Sequence, residues 1–235
     1  DALPICGHLE GHWPDAMVEA IRGGASESKR IEKLLQRKTA IAAGPGLGTG
    51  AAEVDLVRQL LAMTTVPVLL DADGITALAS KPEMAEPAFG RLVLTPHPGE
   101  MATLLGTTVE AVEADRPAAA RAAAERFQAI VVLKGSRTLV VAPDGNWAIG
   151  NQPNAALAKG GSGDVLAGIV GSLLAQGMPC FAAAQLGVAA HALAGARLRE
   201  SAGRRAGLPA GSRLERPGPC QIGRASCRER VCYVV

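Results

Sequence analysis

Short apolar runs alternate with longer helical patterns through the middle of this chain. Apolar residues spaced three and four apart predict helices over 51–63, 75–80, 109–127 and from residue 100 to 105. The runs predicted as buried strands are Thr39–Ala43, Val66–Leu70, Arg91–Thr95 and Ala129–Lys134. Because strands and helices alternate mostly without hairpins, the pattern predicts an α/β fold with a mostly parallel sheet and helices on both faces.

One hairpin and two further helices follow the last of these strands. Residues 139–142 and 146–149 flank Asp144-Gly145, a dipeptide that is a turn signal and predicts a hairpin. Apolar spacing then predicts one helix to about Gln176 and another over Phe181 to about Glu200.

The predicted organisation is a single α/β domain over residues 39–201 with less regular sequence on either side. Residues 1–38 lack a clear period, and we interpret them as the remnant of an N-terminally truncated domain. Residues 202–235 are predicted to be an irregular and non-native tail, since 221–231 resembles translated sequencing-adapter read-through. A genuine basic, disordered tail is the alternative interpretation.

Composition excludes several classes of function. The chain has 235 residues, 48% hydrophobic and 20% charged, with a formal net charge of +2, so it lacks the electrostatic footprint of a nucleic-acid-binding protein. No apolar run reaches the length of about 18 residues that a membrane span needs. Few histidines and no CxxC pair argue against a zinc site, and free thiols suit a reducing cytoplasm.

The segment with the most chemical content is Gly160-Gly161-Ser162-Gly163-Asp164, which opens a predicted helix. Unpaired amides at a helix start attract anions, so we predict an anion hole at Gly160, Gly161, Ser162 and Gly163. Asp164 has two interpretations. It acts as a general base on a substrate hydroxyl, or it only caps the helix.

Other candidate residues follow predicted strands, at the sheet edge where open α/β folds bind ligands. Residues 44–50 either approach a ligand or form a tight connection. Asp71 or Asp73 either reaches a ligand or Mg²⁺ through water, or Asp73 caps the next helix. His97, held in a Pro-Gly loop, is either a substrate contact or a packed neutral ring.

The last such segment, residues 134–138, follows the fourth strand. Lys134 and Gly135 could meet a phosphate group, and Ser136 and Thr138 could hydrogen-bond it. The alternative is a solvated Lys134 at an ordinary turn.

Taken together, these segments resemble the ADP-dependent NAD(P)H-hydrate dehydratase family of the ribokinase-like superfamily. The pair formed by Thr95–Glu100 and Gly160–Asp164 is the most specific, because other ribokinase-like kinases usually lack the first. The matching motifs, in the family's order, are Gly44–Gly48, Leu70–Asp73, Leu94–Glu100, Leu133–Thr138 and Gly160–Gly168.

The resemblance implies a lyase that repairs NADH and NADPH. Such an enzyme phosphorylates the ring hydroxyl of the S-form hydrate, and loss of phosphate then restores the dihydropyridine. ADP is the co-substrate and becomes AMP, and Mg²⁺ is held largely by phosphate oxygens and water, with no protein metal ligand. The resemblance further implies a functional link to NAD(P)H-hydrate epimerase, a homotetramer and a cytoplasmic location.

Site roles follow from the matching positions. Gly48, His97 and Asp164 would contact the hydrate, with Asp164 as the catalytic base. The residues expected to bind the nucleotide are Lys134, Gly135, Ser136, Arg137, Thr138 and Gly163.

The chain departs from the family pattern in two places. Gly74-Ile75-Thr76 stands where the family usually has Ala-Leu-Asn, and the family's N-terminal glycine-rich strand has no evident counterpart. Two other hypotheses remain: a ribokinase-like kinase of a small hydroxylated vitamin precursor, and an inactive, truncated nucleotide-binding domain.

Overall fold

A computed structural model describes residues 27–150, 157, 160–205 and 231–234, with side chains up to residue 197. The strands are β1 (Ala40–Ala43), β2 (Val68–Leu70), β3 (Leu92–Leu94), β4 (Ala129–Leu133), β5 (Leu139–Val141), β6 (Trp147–Ile149) and β7 (Val231–Val234). The helices are α1 (Ser28–Leu35), α2 (Ala51–Met63), α3 (Ala72–Ser80), α4 (Pro98–Leu105), α5 (Val109–Ala114), α6 (Arg116–Phe127), α7 (Ser162–Ala175) and α8 (Cys180–Arg205), with a 3₁₀ helix over Pro82–Ala88.

The described strands form a sheet in the order β6-β5-β4-β3-β2-β1-β7. Neighbouring strands from β7 to β4 are parallel. The predicted hairpin adds β5 and β6 as antiparallel strands beside β4. As a result, the carboxyl ends of β1 to β4 lie side by side, and the loops that leave them share one edge of the sheet.

Alternate strand residues enter two different hydrophobic layers. Val68 and Leu70 pack with the layer that contains α1 to α6, whereas Leu69 packs with the layer that contains α7 and α8. Both faces of the sheet are therefore covered, which explains why the strands are continuous apolar runs. The predicted mostly parallel sheet with helices on both faces is confirmed.

The helix predicted over residues 109–127 is two helices, and this prediction was wrong. Asp115 breaks it with φ −145° and ψ 78°, which are not helical values. The Asp115 side chain accepts a hydrogen bond of 2.9 Å from the Ala118 amide and so caps α6. Pro117 lies in the first turn of α6, where its missing N–H costs nothing.

The ends of the chain are described only in part. Residues 1–26 and 206–230 lie outside the described residues, and the predicted boundary at residue 202 falls inside α8. Val231–Val234 pairs in parallel with β1 as an edge strand, so that part of the predicted tail is regular. The non-native origin of residues 202–235 stays a prediction. Across the described ranges, no helix combines the length and apolarity that crossing a bilayer requires.

Candidate active site

Loops from four parallel strands contact one another at the carboxyl edge of the sheet. The Gly48 amide after β1 donates a 2.9 Å hydrogen bond to Asp73 Oδ2 after β2. The Lys134 amide after β4 donates a 2.8 Å hydrogen bond to the Pro96 carbonyl after β3. Lys134 Nζ crosses back to Asp71 Oδ1 at 2.7 Å. The segments singled out in the sequence therefore form one site, as expected for an open α/β sheet.

The loop after β1 is a tight connection that packs on the start of α3. Gly44 has a φ of 135°, and a Cβ there would collide with the carbonyl oxygen of Asp71. Gly46 and Gly48 also have positive φ values, 73° and 91°. Glycine adopts such values without steric strain, so the glycines have a structural reason. A contact between Gly48 and a substrate stays a prediction.

Asp73 joins the β1 loop to α3 and does not cap the helix that follows. That helix begins at Ala72, not at the predicted Ile75, and Asp71 is its N-cap residue without a side-chain capping hydrogen bond. The Asp73 carboxylate instead accepts the amide hydrogen of Gly48. The capping interpretation of Asp73 is therefore wrong.

Lys134 lies between two carboxylates beneath the start of α7. Its Nζ is 2.7 Å from Asp71 Oδ1 and 3.6 Å from Glu100 Oε2. The Asp71 side chain is 1% exposed and the Lys134 side chain 19%, so water screens this ion pair less than a surface pair. A Cβ on Gly163 would lie 3.2 Å from Nζ, which places the ammonium directly against the helix start. The alternative of a solvated lysine is wrong.

His97 is the N-cap residue of α4. Its Nδ1 accepts hydrogen bonds from the amides of Gly99 and Glu100 at 2.9 and 3.2 Å, and Glu100 Oε2 accepts one from the His97 amide at 2.6 Å. This reciprocal pair is a capping box. Because Nδ1 is an acceptor, the ring proton is on Nε2, 3.4 Å from Glu100 Oε1. The side chain is 56% exposed, which excludes a packed core role.

The start of α7 presents amides without a side-chain cap. Gly161 is its N-cap residue in a left-handed conformation with φ 81°, and no side-chain hydrogen bond caps the helix. Asp164 is exposed in the first turn, where a carboxylate suits the positive end of the helix dipole. The anion hole and the base role of Asp164 stay predictions.

A histidine that no sequence motif singles out contacts this helix start. His191 of α8 places Nε2 3.2 Å from Ser162 Oγ. Burial lowers the pKa of His191, and an interaction with the Ser162 backbone only partly opposes that effect. A lone histidine in an apolar helix carries no sequence signal for such a contact, because the packing of α8 on α7 creates it.

A cleft of about 340 Å³ opens above these groups. Its lining includes His97, the segment residues Lys134 and Thr138, and the loop residues 160–163. Of the residues predicted to bind the hydrate, His97 lines this cleft. The lining also contains five of the residues predicted to bind the nucleotide, Lys134, Gly135, Ser136, Thr138 and Gly163. Gly48, Arg137 and Asp164 do not line the cleft, although Asp164 is the next residue after Gly163, which does.

Comparison with solved structures assigns the class of protein. A ribokinase-like superfamily protein from Enterococcus faecalis matches with a TM-score of 0.74 and 26% identity, over 85% of this chain and 68% of that one. The ADP/ATP-dependent NAD(P)H-hydrate dehydratase from Bacillus subtilis matches with a TM-score of 0.65 and 27% identity, over 83% and 68%. The ribokinase-like fold predicted from the sequence is confirmed.

Comparison of sequences identifies the family within that class. The profile of the family described as NAD(P)H-hydrate dehydratase matches residues 5–213, and the chain belongs to this family. An ADP-dependent (S)-NAD(P)H-hydrate dehydratase from Neisseria meningitidis is 52% identical over 171 residues, which are 72% of this chain and 58% of that protein. A bifunctional NAD(P)H-hydrate repair enzyme from Moorella thermoacetica is 43% identical over 195 residues, 82% and 37% of the two chains. The chain thus spans 58% or less of these two relatives.

Proposed function

We propose that this chain catalyses the ADP-dependent dehydration of the S-form of NADH or NADPH hydrate, giving NAD(P)H, AMP and phosphate. The observation that carries the proposal is the position of Lys134 under Gly163, in the same cleft as His97. The Lys134 ammonium and the start of α7 together suit the phosphate groups of a nucleotide. A second substrate would lie beside these phosphates, against His97.

The phosphate-binding half of the cleft would act electrostatically. The amides that begin α7 and the Lys134 ammonium face the same space, and together they would balance the charge on the transferring phosphoryl group. Positioning and charge stabilisation of this kind account for most of the catalysis in phosphoryl transfer. The hydroxyls of Ser136 and Thr138 line the cleft beside them and would hold the nucleotide by hydrogen bonds.

Asp164 would hold the proton that the reaction releases. As the ring hydroxyl oxygen forms a bond to the β-phosphorus of ADP, its proton passes to the Asp164 carboxylate and the bond from that phosphorus to AMP breaks. The phosphate then leaves with the electrons of the C–O bond, and a ring proton passes to solvent water as the double bond is restored. The oxygen of the added water thus leaves in the phosphate, and its two hydrogens leave as protons, one to Asp164 and one to solvent.

Mg²⁺ suits the donor set of this cleft as an ion carried by the nucleotide. The part of the chain that the structure describes contains no cluster of three or more His, Cys, Asp or Glu side chains suited to a metal. The carboxylates of Asp71 and Glu100 lie against Lys134 and are not part of the cleft lining, so phosphate oxygens and water would be the ligands of the ion. When bound, Mg²⁺ supplies charge neutralisation on the phosphates.

The name of the Moorella relative supports a proposed link to the companion repair step. That relative is called a bifunctional repair enzyme, and the chain aligns to 37% of it. We therefore propose that an epimerase acting on the same hydrate supplies the S-form to this chain. The homotetramer expected from the family stays a prediction.

The test supplies the whole chain with hydrated NADH, ADP and Mg²⁺. Recovery of the near-ultraviolet absorbance of reduced nicotinamide and formation of AMP are measured together. Asp164→Asn should lower the rate by about 10²–10⁴-fold and leave ADP binding nearly unchanged, since it removes only the base. No recovery by the wild-type chain would refute the function, and an unchanged rate in the variant would refute the role of Asp164. Phosphorylation of a small hydroxylated vitamin precursor instead would favour the kinase alternative.

A further inference from the structure

An arginine outside all the sequence motifs holds the backbone where it leaves β4. Arg116 is the first residue of α6. Its Nη2 donates hydrogen bonds to the carbonyl oxygens of Leu133 at 3.2 Å and Lys134 at 3.1 Å. Its Nη1 donates a 2.7 Å hydrogen bond to Glu113 Oε1. The Arg116 side chain is 18% exposed and its two bonds to the backbone are partly buried, whereas Glu113 is 48% exposed.

The glycine after Lys134 is explained by this arginine. A Cβ on Gly135 would lie 2.5 Å from Arg116 Nη2 and 2.9 Å from Cζ. Gly135 does not have a positive φ, so its backbone conformation is open to other residues. A side chain at this position would therefore displace the guanidinium from its present place, which couples the two residues.

Lys134 is consequently fixed from three directions. Its amide donates to the Pro96 carbonyl at 2.8 Å, its carbonyl accepts from Arg116, and its ammonium donates to Asp71 at 2.7 Å. Only the last of these contacts involves the side chain that faces the cleft. The direction in which that side chain leaves the backbone depends on the other two.

We infer that Arg116 is a positioning residue for the nucleotide-binding segment, residues 134–138, and so sets the affinity for the diphosphate without touching it. This inference rests on the proposed function, because that function assigns the segment to ADP. Nη2 donates to both carbonyls while Nη1 donates to Glu113, so three hydrogen bonds orient one planar guanidinium, which an ammonium on a flexible stem would hold less firmly. Without the guanidinium, the segment has to become ordered when the ligand binds, and the free energy that this costs weakens the affinity.

Arg126 provides a matched control at the opposite end of the same helix. Its Nη1 donates a 2.9 Å hydrogen bond to the Leu104 carbonyl, and its guanidinium lies 5.2 Å from the centroid of the Phe127 ring. It makes the same kind of long-range contact to a backbone carbonyl as Arg116 does. Neither Arg126 nor Leu104 is among the described residues that line the cleft.

The experiment compares Arg116→Gln and Arg126→Gln in the whole chain. The dissociation constant for ADP with Mg²⁺ is measured by calorimetry, and amide hydrogen exchange over residues 135–138 is measured without ligand. Arg116→Gln should weaken ADP binding about tenfold and speed exchange in the segment, whereas Arg126→Gln should change binding less than about twofold. In turnover, KM for ADP should rise more than kcat falls. Arg116→Lys keeps the charge and should fold. Its dissociation constant for ADP should lie between those of the wild type and Arg116→Gln.

A double-mutant cycle tests the contact with Gly135. Gly135→Ala should weaken ADP binding more in the wild-type background than in the Arg116→Gln background, because the shorter side chain relieves the clash. Additive effects, or an ADP affinity unchanged in Arg116→Gln, would overturn this inference alone. Failure of the wild-type chain to bind ADP would overturn the proposed function and this inference together.

Discussion

Replacing Lys134 with Met would test the buried ion pair on which the site is built. Lys134→Met keeps a side chain of similar length and removes the ammonium that neutralises Asp71. The Asp71 carboxylate is 1% exposed, so water cannot take over the role of the lost cation. Removing one partner of a buried pair is strongly destabilising because an uncompensated charge remains in a medium of low dielectric constant.

The size of the loss follows from the burial of the two partners. Breaking a fully buried pair costs about 3–5 kcal/mol. Lys134 is 19% exposed, so the lower end applies, and we expect a loss of about 3 kcal/mol in the free energy of unfolding. At about 2–4 °C per kcal/mol for a chain of this size, the melting temperature should fall by about 6–12 °C.

The assay is urea unfolding followed by circular dichroism, with Lys81→Met as the control. Lys81 is exposed, and its replacement should change stability by less than about 0.5 kcal/mol. The double variant Asp71→Asn with Lys134→Met should recover most of the lost stability, because it removes the stranded charge. A loss below about 1 kcal/mol in Lys134→Met, or a double variant as unstable as the single one, would refute the reasoning.

Three smaller perturbations separate binding from stability. Gly163→Ala places a Cβ 3.2 Å from Lys134 Nζ, so the affinity for ADP should fall. The melting temperature should hold or rise, because Ala favours a helix over Gly by about 1 kcal/mol. An unchanged ADP affinity in calorimetry would contradict this expectation. His97→Asn keeps a good N-cap residue and His97→Ala does not, so only His97→Ala should lose about 1 kcal/mol of stability. Both variants should lose turnover if His97 contacts the hydrate. Burial lowers the pKa of His191 below its ordinary value of 6.5, so below that pH the unfolded chain binds more protons and stability falls as the pH drops. His191→Gln should flatten the melting-temperature profile between about pH 7 and 5, and an unchanged slope would contradict this account.

Local sequence signals were sufficient for the regular parts of the fold. The apolar runs that predict β1 to β4 are buried on both faces, and burial of both faces needs helices above and below the sheet. The Asp-Gly signal predicts the β5–β6 hairpin because its connection needs a residue with a positive φ, which Gly145 supplies at 88°. The break at Asp115 was also readable in principle, since an acidic N-cap two residues before Pro117 is a helix-start signal.

The role of each polar residue at the strand ends was decided by neighbours far away in the sequence. Asp71 and Asp73 are equivalent by their local pattern, yet one pairs with Lys134 and the other receives the Gly48 amide. No periodicity distinguishes them, because their partners come from β4 and β1.

What the sequence determined by itself is the alternation of elements, the edge of the sheet that carries the candidate site and the family motifs. Each of these depends on residues close together in the chain. Only the tertiary structure decided that Arg116 holds the end of β4, that His191 reaches Ser162, and that Lys134 lies under α7. Those contacts join segments that strand order and helix packing bring together. The free energy of each contact depends on how deeply its polar groups are buried, and no local sequence pattern encodes that burial.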